Sequence, residues 1–421
     1  MVTQNQYNVL RQPTRNLNIK IDLINESDIV VDSFEGIATE GNINLDGGST
    51  YRRSGNLTMV FDKKYNLLPS PSSKIWFNKR LGIWILLEDY FNNIVPFNMG
   101  RFAIDEVDLN FNSAEKTMSC QLKDYMTFLD GTLGGTLSRK TVIQEGTPIS
   151  EAIRSILTGL VKMSIEDIKI GDMDLTLPYT IEKEAGSTAY ELIKEIIELY
   201  AGWDFFFSEN GVLIVEKIRD KKGDPIIEAF DGTEKDLTLN SNPKVNFSNV
   251  HNSIWVWGRQ LDDGTQIKWN YRNRWARKDK VELDNLTDKQ NGDICYIENE
   301  NKSYLWDGSA WELLDFKVMS NFNMEQIGEK IYSISDDKIF DENQAKLRAE
   351  YELEQRSSFS ETNSFSCVPL YYLKPNNKIY VNIDGEISGD YLIDSISIPL
   401  DISSPMNITT HKLYYQNTEG V

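Results

Sequence analysis

Alternating apolar and polar positions dominate the first 125 residues of the chain. In residues 17–24, LNIKIDLI, every second residue is apolar, which predicts a strand buried on one face. Further segments of this kind follow, separated by Gly, Pro, Ser and Asn, at 55–61, 74–78, 82–91, 100–111 and 116–122. Turns at this spacing are typical of an all-β barrel or sandwich, so we expect one here.

The period of the apolar positions changes to that of a helix between residues 146 and 218. One apolar stripe follows Thr147 and a second follows Ser187, and each of these two residues is expected to be an N-cap. Residues 203–217 then predict two strands joined at Asn210-Gly211, a strong hairpin signal. The region predicts a small α/β domain of two helices packed on a hairpin.

Strands return after residue 225 and continue to the end of the chain. Residues 281–315 are acidic, rich in turns and hold short aromatic strands, which predicts an inserted β-meander. A helix over 341–356 is indicated by Asp341 and Gln344, spaced as a capping box. The expected domains are 1–145, a first β-domain; 146–224, the α/β domain; 225–280 with 316–421, a second β-domain; and 281–315, the meander.

Two distant segments resemble each other. Residues 100–111, GRFAIDEVDLNF, align with residues 389–400, GDYLIDSISIPL, and each continues through a polar turn into a strand opened by a methionine. Three positions are identical and four more are apolar in both segments. The matches are Gly100 with Gly389, Phe102 with Tyr391, Ile104 with Ile393, Asp105 with Asp394, Val107 with Ile396, Leu109 with Ile398, and Phe111 with Leu400. The pattern predicts a duplicated β-domain, one copy near each end.

The charge of the chain narrows the classes of function. Lys and Arg number 44 against 64 Asp and Glu, a formal net charge of -20, which argues against a dedicated nucleic-acid binder. Three cysteines far apart, Cys120, Cys295 and Cys367, fit neither a disulfide framework nor a zinc signature. The sequence contains no secretion signal and no apolar run of about 20 residues. We expect a soluble protein made in a cytoplasm.

Candidate catalytic chemistry is sparse. The only two histidines, His251 and His411, are far apart, and no G-x-S-x-G or G-K-[ST] motif is present. The acidic segment 284–293 lacks the spacing of a calcium loop. We therefore expect no enzymatic activity, no cofactor and no metal site.

One basic and aromatic segment, KWNYRNRWARKDK at 268–280, stands out in this acidic chain. Interleaved cations and rings suit a nucleic-acid strand, but they are also typical of a strand at a protein interface. We favour the interface, with seven candidate residues: Lys268, Trp269, Tyr271, Arg272, Arg274, Trp275 and Arg277.

Trp306 and Trp311 flank a tight Asp307-Gly308 turn in the expected meander. Two such residues commonly pack across their own hairpin, and this is the favoured interpretation. The alternative is that they contact a sugar or a partner protein.

The order of these elements resembles the baseplate or tail hub proteins of bacteriophages and related contractile particles. The segments that carry the resemblance are GRFAIDEV, TPISEAIRSIL, STAYELIKEIIELYAGWDFFFSENGVLIV and the C-terminal YYLKPNNKIYV with YLIDSISIPL. In YYLKPNNKIYV, Asn376-Asn377 stand where the family pattern L-x-P-G-x-x-V-x-V has Gly and then Asp or Asn, a substitution that turn geometry tolerates. The resemblance covers nearly the whole chain except 281–315.

The resemblance implies an α+β, mainly β fold with two related tube-like β-barrel domains flanking a small α/β domain. It implies a structural homotrimer with a pseudo-sixfold ring that joins the tail tube or distal tail protein to the spike or tip. Tape-measure protein and DNA would pass through its channel without specific binding, in a virion assembled in the host cytoplasm. The alternative is a host-surface glycan-binding module presenting Trp306 and Trp311, and less favoured is a peptidoglycan hydrolase.

Overall fold

The computed structural model describes residues 3–60, 66–111, 116–219, 221–231, 238–318, 320–357, 360–383, 385 and 387–413. The chain divides into two compact units. Unit 1 comprises Met1–Ile196, Asp204–Pro243 and Asn363–His411, and unit 2 comprises Ile197–Trp203, Lys244–Thr362 and Lys412–Val421.

Strands outnumber helices, which confirms the expected mainly β, α+β class. The α-helices are α1 (Gln4–Val9), α2 (Ile149–Ser155), α3 (Ala189–Glu198), α4 (Lys280–Asp284), α5 (Met324–Ile327) and α6 (Glu342–Arg356). The strands are β1 (Leu17–Ile24), β2 (Val30–Glu35), β3 (Ala38–Asp46), β4 (Arg53–Val60), β5 (Arg80–Glu88), β6 (Ile94–Phe111), β7 (Lys116–Lys123), β8 (Thr141–Ile143), β9 (Ile168–Ile170), β10 (Ile181–Lys183), β11 (Trp203–Phe207), β12 (Leu213–Lys217), β13 (Glu228–Phe230), β14 (Thr238–Asn246), β15 (Ser253–Gln260), β16 (Gln266–Arg277), β17 (Asp293–Ile297), β18 (Lys302–Trp306), β19 (Trp311–Leu313), β20 (Ile331–Ser335), β21 (Ser360–Cys367), β22 (Lys378–Ile383), β23 (Ile387–Pro399) and β24 (Met406–Lys412).

A 13-stranded sheet organises unit 1. Its main path runs β14-β21-β24-β23-β3-β4-β7-β6-β5-β1-β2, with β22 attached to β23 and β13 attached to β22. Because β3 pairs antiparallel with both β4 and β23, the N-terminal and C-terminal strands form one continuous sheet around a shared apolar core. Among the described residues this path does not close on itself, so the two tube-like regions are not separate closed barrels.

One expected strand is absent. Residues 74–78 form turns, because the Ser73 hydroxyl donates to the carbonyl oxygens of Ser70 at 2.9 Å and Ile75 at 2.7 Å. Side-chain hydrogen bonds of this kind offer the backbone an alternative to a sheet ladder.

The two segments that resemble each other in sequence also match in structure. Each lies in the middle of three consecutive hydrogen-bonded strands, β5-β6-β7 and β22-β23-β24. Gly100 and Gly389 share an unusual backbone, with φ of +135° and +145°. Asp105 on β6 pairs with Lys123 on β7 at 2.8 Å, and Asp394 on β23 contacts His411 on β24. These shared details support a duplication.

The predicted helix–helix–hairpin region is present in unit 1, with two differences at the caps. The residue before α2 is Pro148, without a side-chain cap, while the Thr147 hydroxyl donates to the Gln144 carbonyl at 2.7 Å. Before α3, Thr188 rather than Ser187 forms the reciprocal cap with Glu191, at 3.0 and 3.1 Å. The hairpin strands β11 and β12 belong to a three-stranded sheet. Its third strand, β9, lies next to β12 and runs parallel to it.

Unit 2 is built on a six-stranded sheet in the order β19-β18-β17-β16-β15-β20. The apolar side of α6 packs with this sheet through Ala345, Ala349 and Leu353. Asp341 caps α6 as expected, accepting from the Gln344 N–H at 2.8 Å. The expected meander supplies β17, β18 and β19, and it is continuous with the sheet because β17 pairs in parallel with β16. The expected second β-domain is thus divided, its 244–280 part lying in unit 2 and residues 363–411 in unit 1.

Candidate functional site

The basic and aromatic segment forms β16, an inner strand of the sheet in unit 2. Residues 266–272 of β16 pair with β15 and residues 272–277 pair with β17, so each half of the strand is hydrogen-bonded to one neighbour and only Arg272 is paired with both. Tyr271, Arg272 and Trp275 are buried, and Trp269, Arg274 and Arg277 are partly buried. Of the seven candidate interface residues, Lys268 is exposed.

The arginines of β16 are paired within the chain. Asp293 at the start of β17, whose side chain is fully buried, meets Arg272 Nη2 at 2.6 Å and Arg274 Nη1 at 2.8 Å. Arg277 forms a two-point contact with the Glu325 carboxylate, at 2.6 and 2.8 Å. These guanidinium groups therefore stabilise the junction of β16 with its neighbours.

Trp306 and Trp311 lie directly opposite each other at the ends of β18 and β19. Their rings meet edge to face at a centroid distance of 5.4 Å, as the favoured interpretation expected, and both side chains stay partly exposed. Asp307 fixes the turn between them by accepting from the N–H groups of Ser309 and Ala310, both at 2.7 Å.

Beside this turn lies an open cleft of about 520 Å³. The two tryptophans line it together with Tyr304 of β18, Lys280 of α4 and Lys289. Sequence reasoning did not find this cleft. Lys280 was visible only as the end of the basic segment, and no local pattern connects it with Lys289.

A second surface that the sequence did not indicate lies on the β5–β6 hairpin of unit 1. Tyr90 and Phe91 at its turn are 65% and 84% exposed, and Ile94 beside them is 57% exposed. The Asp89 carboxylate orders this turn by accepting from the N–H groups of Phe91 and Asn93, both at 2.8 Å. An ordered turn thus presents two aromatic side chains to solvent, which is typical of a contact surface.

The duplicated segments differ in burial at their C-terminal ends. Ile398 on β23 and Leu400 directly after that strand are buried, whereas the matching Leu109 and Phe111 on β6 are 39% and 52% exposed. Ile398 faces Ile43 of β3, while Leu109 and Phe111 lie beyond the part of β6 that pairs with β5. One copy therefore exposes apolar side chains at positions that the other copy covers.

Further titratable groups lie outside these surfaces. His251 Nδ1 lies 2.9 Å from the Asn249 carbonyl oxygen, and His411 contacts Asp394. All three cysteines are buried and lie outside any disulfide, and burial raises the pKa of Cys120 and Cys295 to about 12. Among the described residues, no group of His, Cys, Asp and Glu side chains is arranged to hold a metal ion. Nor does any described helix have the length and hydrophobicity needed to cross a bilayer.

No protein-family model matches the sequence, and no curated protein matches it at a significant level. Solved structures do match. The tail protein from Neisseria meningitidis MC58 superposes with a TM-score of 0.55 at 11% identity, over 94% of this chain and 96% of that one. The 43 kDa tail protein of prophage MuSo2 from Shewanella oneidensis gives 0.53 at 11% identity, over 93% and 98%. Prophage tail protein gp18 from Listeria monocytogenes EGD-e gives 0.51 at 13% identity, over 94% of each chain.

At these identities the likeness establishes the fold. The resemblance to phage tail proteins, first indicated by the order of elements along the sequence, is confirmed at that level.

Proposed function

We propose that the chain is a structural protein of a phage tail or baseplate, and that it acts as the hub between the tail tube or distal tail protein and the spike or tip. The observation that carries the proposal is the match in fold to tail proteins over nearly the full length of both chains. A fold by itself hosts many functions, so the surfaces of this chain supply the further support.

We propose that the chain forms a homotrimer with a pseudo-sixfold ring, and the duplication supports this. Three chains with two related β-segments each present six similar units, which suits a tube of sixfold symmetry and a spike of threefold symmetry. Supporting this, Leu109 and Phe111 are exposed in one copy where Ile398 and Leu400 are buried in the other. If a neighbouring subunit covered Leu109 and Phe111, these side chains would be buried like their counterparts Ile398 and Leu400.

The charge of the chain suits a conduit. A surface with a net charge of -20 repels phosphates, so DNA and the tape-measure protein would pass without the DNA adhering. The internal pairing of Arg272, Arg274 and Arg277 agrees with this, because these guanidinium groups already have carboxylate partners. Any contribution of β16 to an interface is proposed to come from Lys268 and the exposed edge of Trp269.

The proposal is tested by co-expressing the chain with its cognate tail-tube and spike proteins and measuring the mass of the complexes that elute. We expect complexes with three copies of the chain for each spike trimer. Replacing Tyr90 and Phe91 by Ser should reduce assembly while leaving the melting temperature unchanged, since both side chains are solvent-exposed. Failure to bind either partner would contradict the proposed role.

A further inference from the structure

The cleft beside the Trp306–Trp311 turn has the features of a small-ligand site. Its volume of about 520 Å³ lies within the roughly 300–1,000 Å³ of such sites. It lies entirely in unit 2, between α4 and the turn that joins β18 to β19.

The aromatic walls of the cleft are preformed. Tyr304 and Trp306 are two residues apart on β18 and so point to the same side of the strand. Trp306 packs against Trp311, which in turn meets the buried Trp275 at 6.2 Å. Rings already held by their neighbours lose little conformational freedom when a ligand arrives.

Two lysine ammonium groups reach over these rings. Lys280 Nζ lies 4.6 Å from the centre of the Tyr304 ring, and Lys289 Nζ lies 4.5 Å from the centre of a Trp306 ring. Neither ammonium forms an ion pair with a carboxylate in the part of the chain that the structure describes. This sets them apart from the arginines of β16, all three of which are ion-paired.

This combination matches the chemistry of an acidic sugar. A pyranose ring has an apolar C–H face that lies against an aromatic ring, and a rim of hydroxyls that needs polar partners. Asp284 and Ser309 at the edge of the cleft can supply those partners. The ammonium groups can receive one anionic substituent through charge-assisted hydrogen bonds.

A long polyanion fits this surface poorly. Acidic side chains lie near Lys280, since the carboxylates of Asp284, which lines the cleft, and of Glu300 both interact with its ammonium group. Glu300 accepts a hydrogen bond from the hydroxyl of Tyr304 itself. A nucleic-acid strand needs an extended track of cations, and this cleft offers two within an acidic rim.

We propose that the cleft binds a saccharide bearing a carboxylate or a phosphate, with its ring against Trp306 and Trp311 and its anionic group at Lys280 and Lys289. The inference stands on the cleft alone and does not depend on the proposed hub function.

The test is calorimetric titration of the full chain with four probes. Two are acidic saccharides, N-acetylglucosaminyl-N-acetylmuramic acid for the carboxylate and N-acetylglucosamine 1-phosphate for the phosphate. The other two are neutral diacetylchitobiose and inorganic phosphate. The variants are Lys280→Gln with Lys289→Gln, Trp306→Ala, and the control Lys302→Gln, which removes an exposed charge from β18 outside the cleft.

We expect at least one acidic saccharide to bind in a saturable manner, and to bind about tenfold more tightly than diacetylchitobiose. The double lysine variant should lose about that factor, and Trp306→Ala should weaken both kinds of sugar, while Lys302→Gln changes nothing. Which acidic probe binds distinguishes carboxylate from phosphate.

Three results would overturn the proposal. The first is no binding of either acidic saccharide at millimolar concentration. The second is an unchanged affinity for the acidic saccharides in the double lysine variant. This variant keeps the aromatic walls, so the result can be interpreted even if Trp306→Ala fails to fold. The third is inorganic phosphate binding as tightly as the sugars, which would mean a simple anion site.

Discussion

At the scale of single residues, Asp293 holds β16 and β17 together. Its buried carboxylate is the shared counter-charge of Arg272 and Arg274, at 2.6 and 2.8 Å. A buried ion pair adds little net stability compared with apolar residues, but removing one partner leaves a buried charge uncompensated. In this chain, the positive charges of Arg272 and Arg274 on β16 are therefore balanced by a single carboxylate, which lies 16 residues after the end of that strand.

We therefore expect Asp293→Asn to lower the free energy of unfolding of unit 2 by about 3 kcal/mol. Urea unfolding followed by tryptophan fluorescence measures this well, since six of the nine tryptophans lie between residues 255 and 311. Asp262→Asn, in the exposed turn between β15 and β16, is the matched control and should cost almost nothing. Equal stability of the two variants would refute the role of Asp293.

Asp124 in unit 1 makes stability depend on pH. Burial raises the pKa of its carboxyl to about 6, although N–H groups of Met126 and Arg53 donate to it at 3.0 Å and lower that pKa. In the unfolded chain the pKa of the Asp124 carboxyl is near 4. At pH values between about 4 and about 6, the folded protein therefore holds a proton on Asp124 that the unfolded chain has lost. The contribution of this group to stability is therefore present below pH 4 and is lost as the pH rises to about 6.

The difference in free energy of unfolding between the native chain and Asp124→Asn isolates this effect. From pH 4 to pH 7 the native chain should lose up to about 3 kcal/mol relative to the variant. Asp108→Asn, at an exposed position of β6, should show no such trend. A difference independent of pH would show that Asp124 is already ionised in the folded state at pH 4.

At the scale of elements, the junction of β16 with β17 requires glycine at position 292. Gly292 has φ of +92°, and a Cβ there would lie 2.3 Å from the Asn270 carbonyl oxygen on β16. Gly308, in the Trp306–Trp311 turn, has a similar φ of +101° but open space, with its nearest neighbour at 3.9 Å. Comparing substitutions at these two glycines therefore separates the energetic cost of backbone strain from that of steric overlap.

Gly308→Ala should cost about 1 kcal/mol for its backbone, and Gly292→Ala roughly 2 kcal/mol more because Asn270 must move. Thermal unfolding of the two variants measures the difference. If both melt at the same temperature, the close approach of β16 and β17 at this point is not as the structure describes it.

The duplicated strands permit a second comparison between elements. Leu109 on β6 and Ile398 on β23 occupy matching positions, exposed in one case and buried in the other. Ile398→Ser should destabilise unit 1 by about 3 kcal/mol, whereas Leu109→Ser should leave its stability unchanged.

If a neighbouring subunit covers β6, Leu109→Ser with Phe111→Ser should instead abolish the oligomer, as measured by mass photometry. An intact oligomer in that double variant would place the contact elsewhere.

Local patterns predicted local structure well. The period of apolar residues located β1 and α3, and the Asp341–Gln344 spacing indicated α6 and a cap that the structure contains. The errors have physical causes. Thr188 competes with Ser187 as a cap because its partner Glu191 lies three residues later, and Ser73 ties residues 74–78 into turns.

Long-range pairing was not available from the sequence. The ladder between β3 and β23 joins residues about 350 positions apart and merges the two expected β-regions into one sheet. The parallel pairing of β16 with β17 likewise makes the expected insert part of a larger sheet. The cleft brings together Lys280, Lys289 and Tyr304, which no local sequence pattern connects.

At the scale of the whole molecule, three features of the chain bear on its role. The fold is that of phage tail proteins over nearly the full length of the chain. Two segments share sequence, backbone geometry and an acid–base pair, but differ in how far their apolar ends are covered. The chain is strongly acidic, and the arginines of its basic strand are paired internally. These observations are the basis of the proposal that the chain is a ring-forming hub.

The most direct test of the hub proposal is negative-stain electron microscopy of the purified chain, alone and with its cognate spike, with class averages in end view. The account predicts a ring of threefold or pseudo-sixfold appearance with an open centre, formed at the latest when the spike is present. Particles that remain monomeric in the presence of the spike would contradict it.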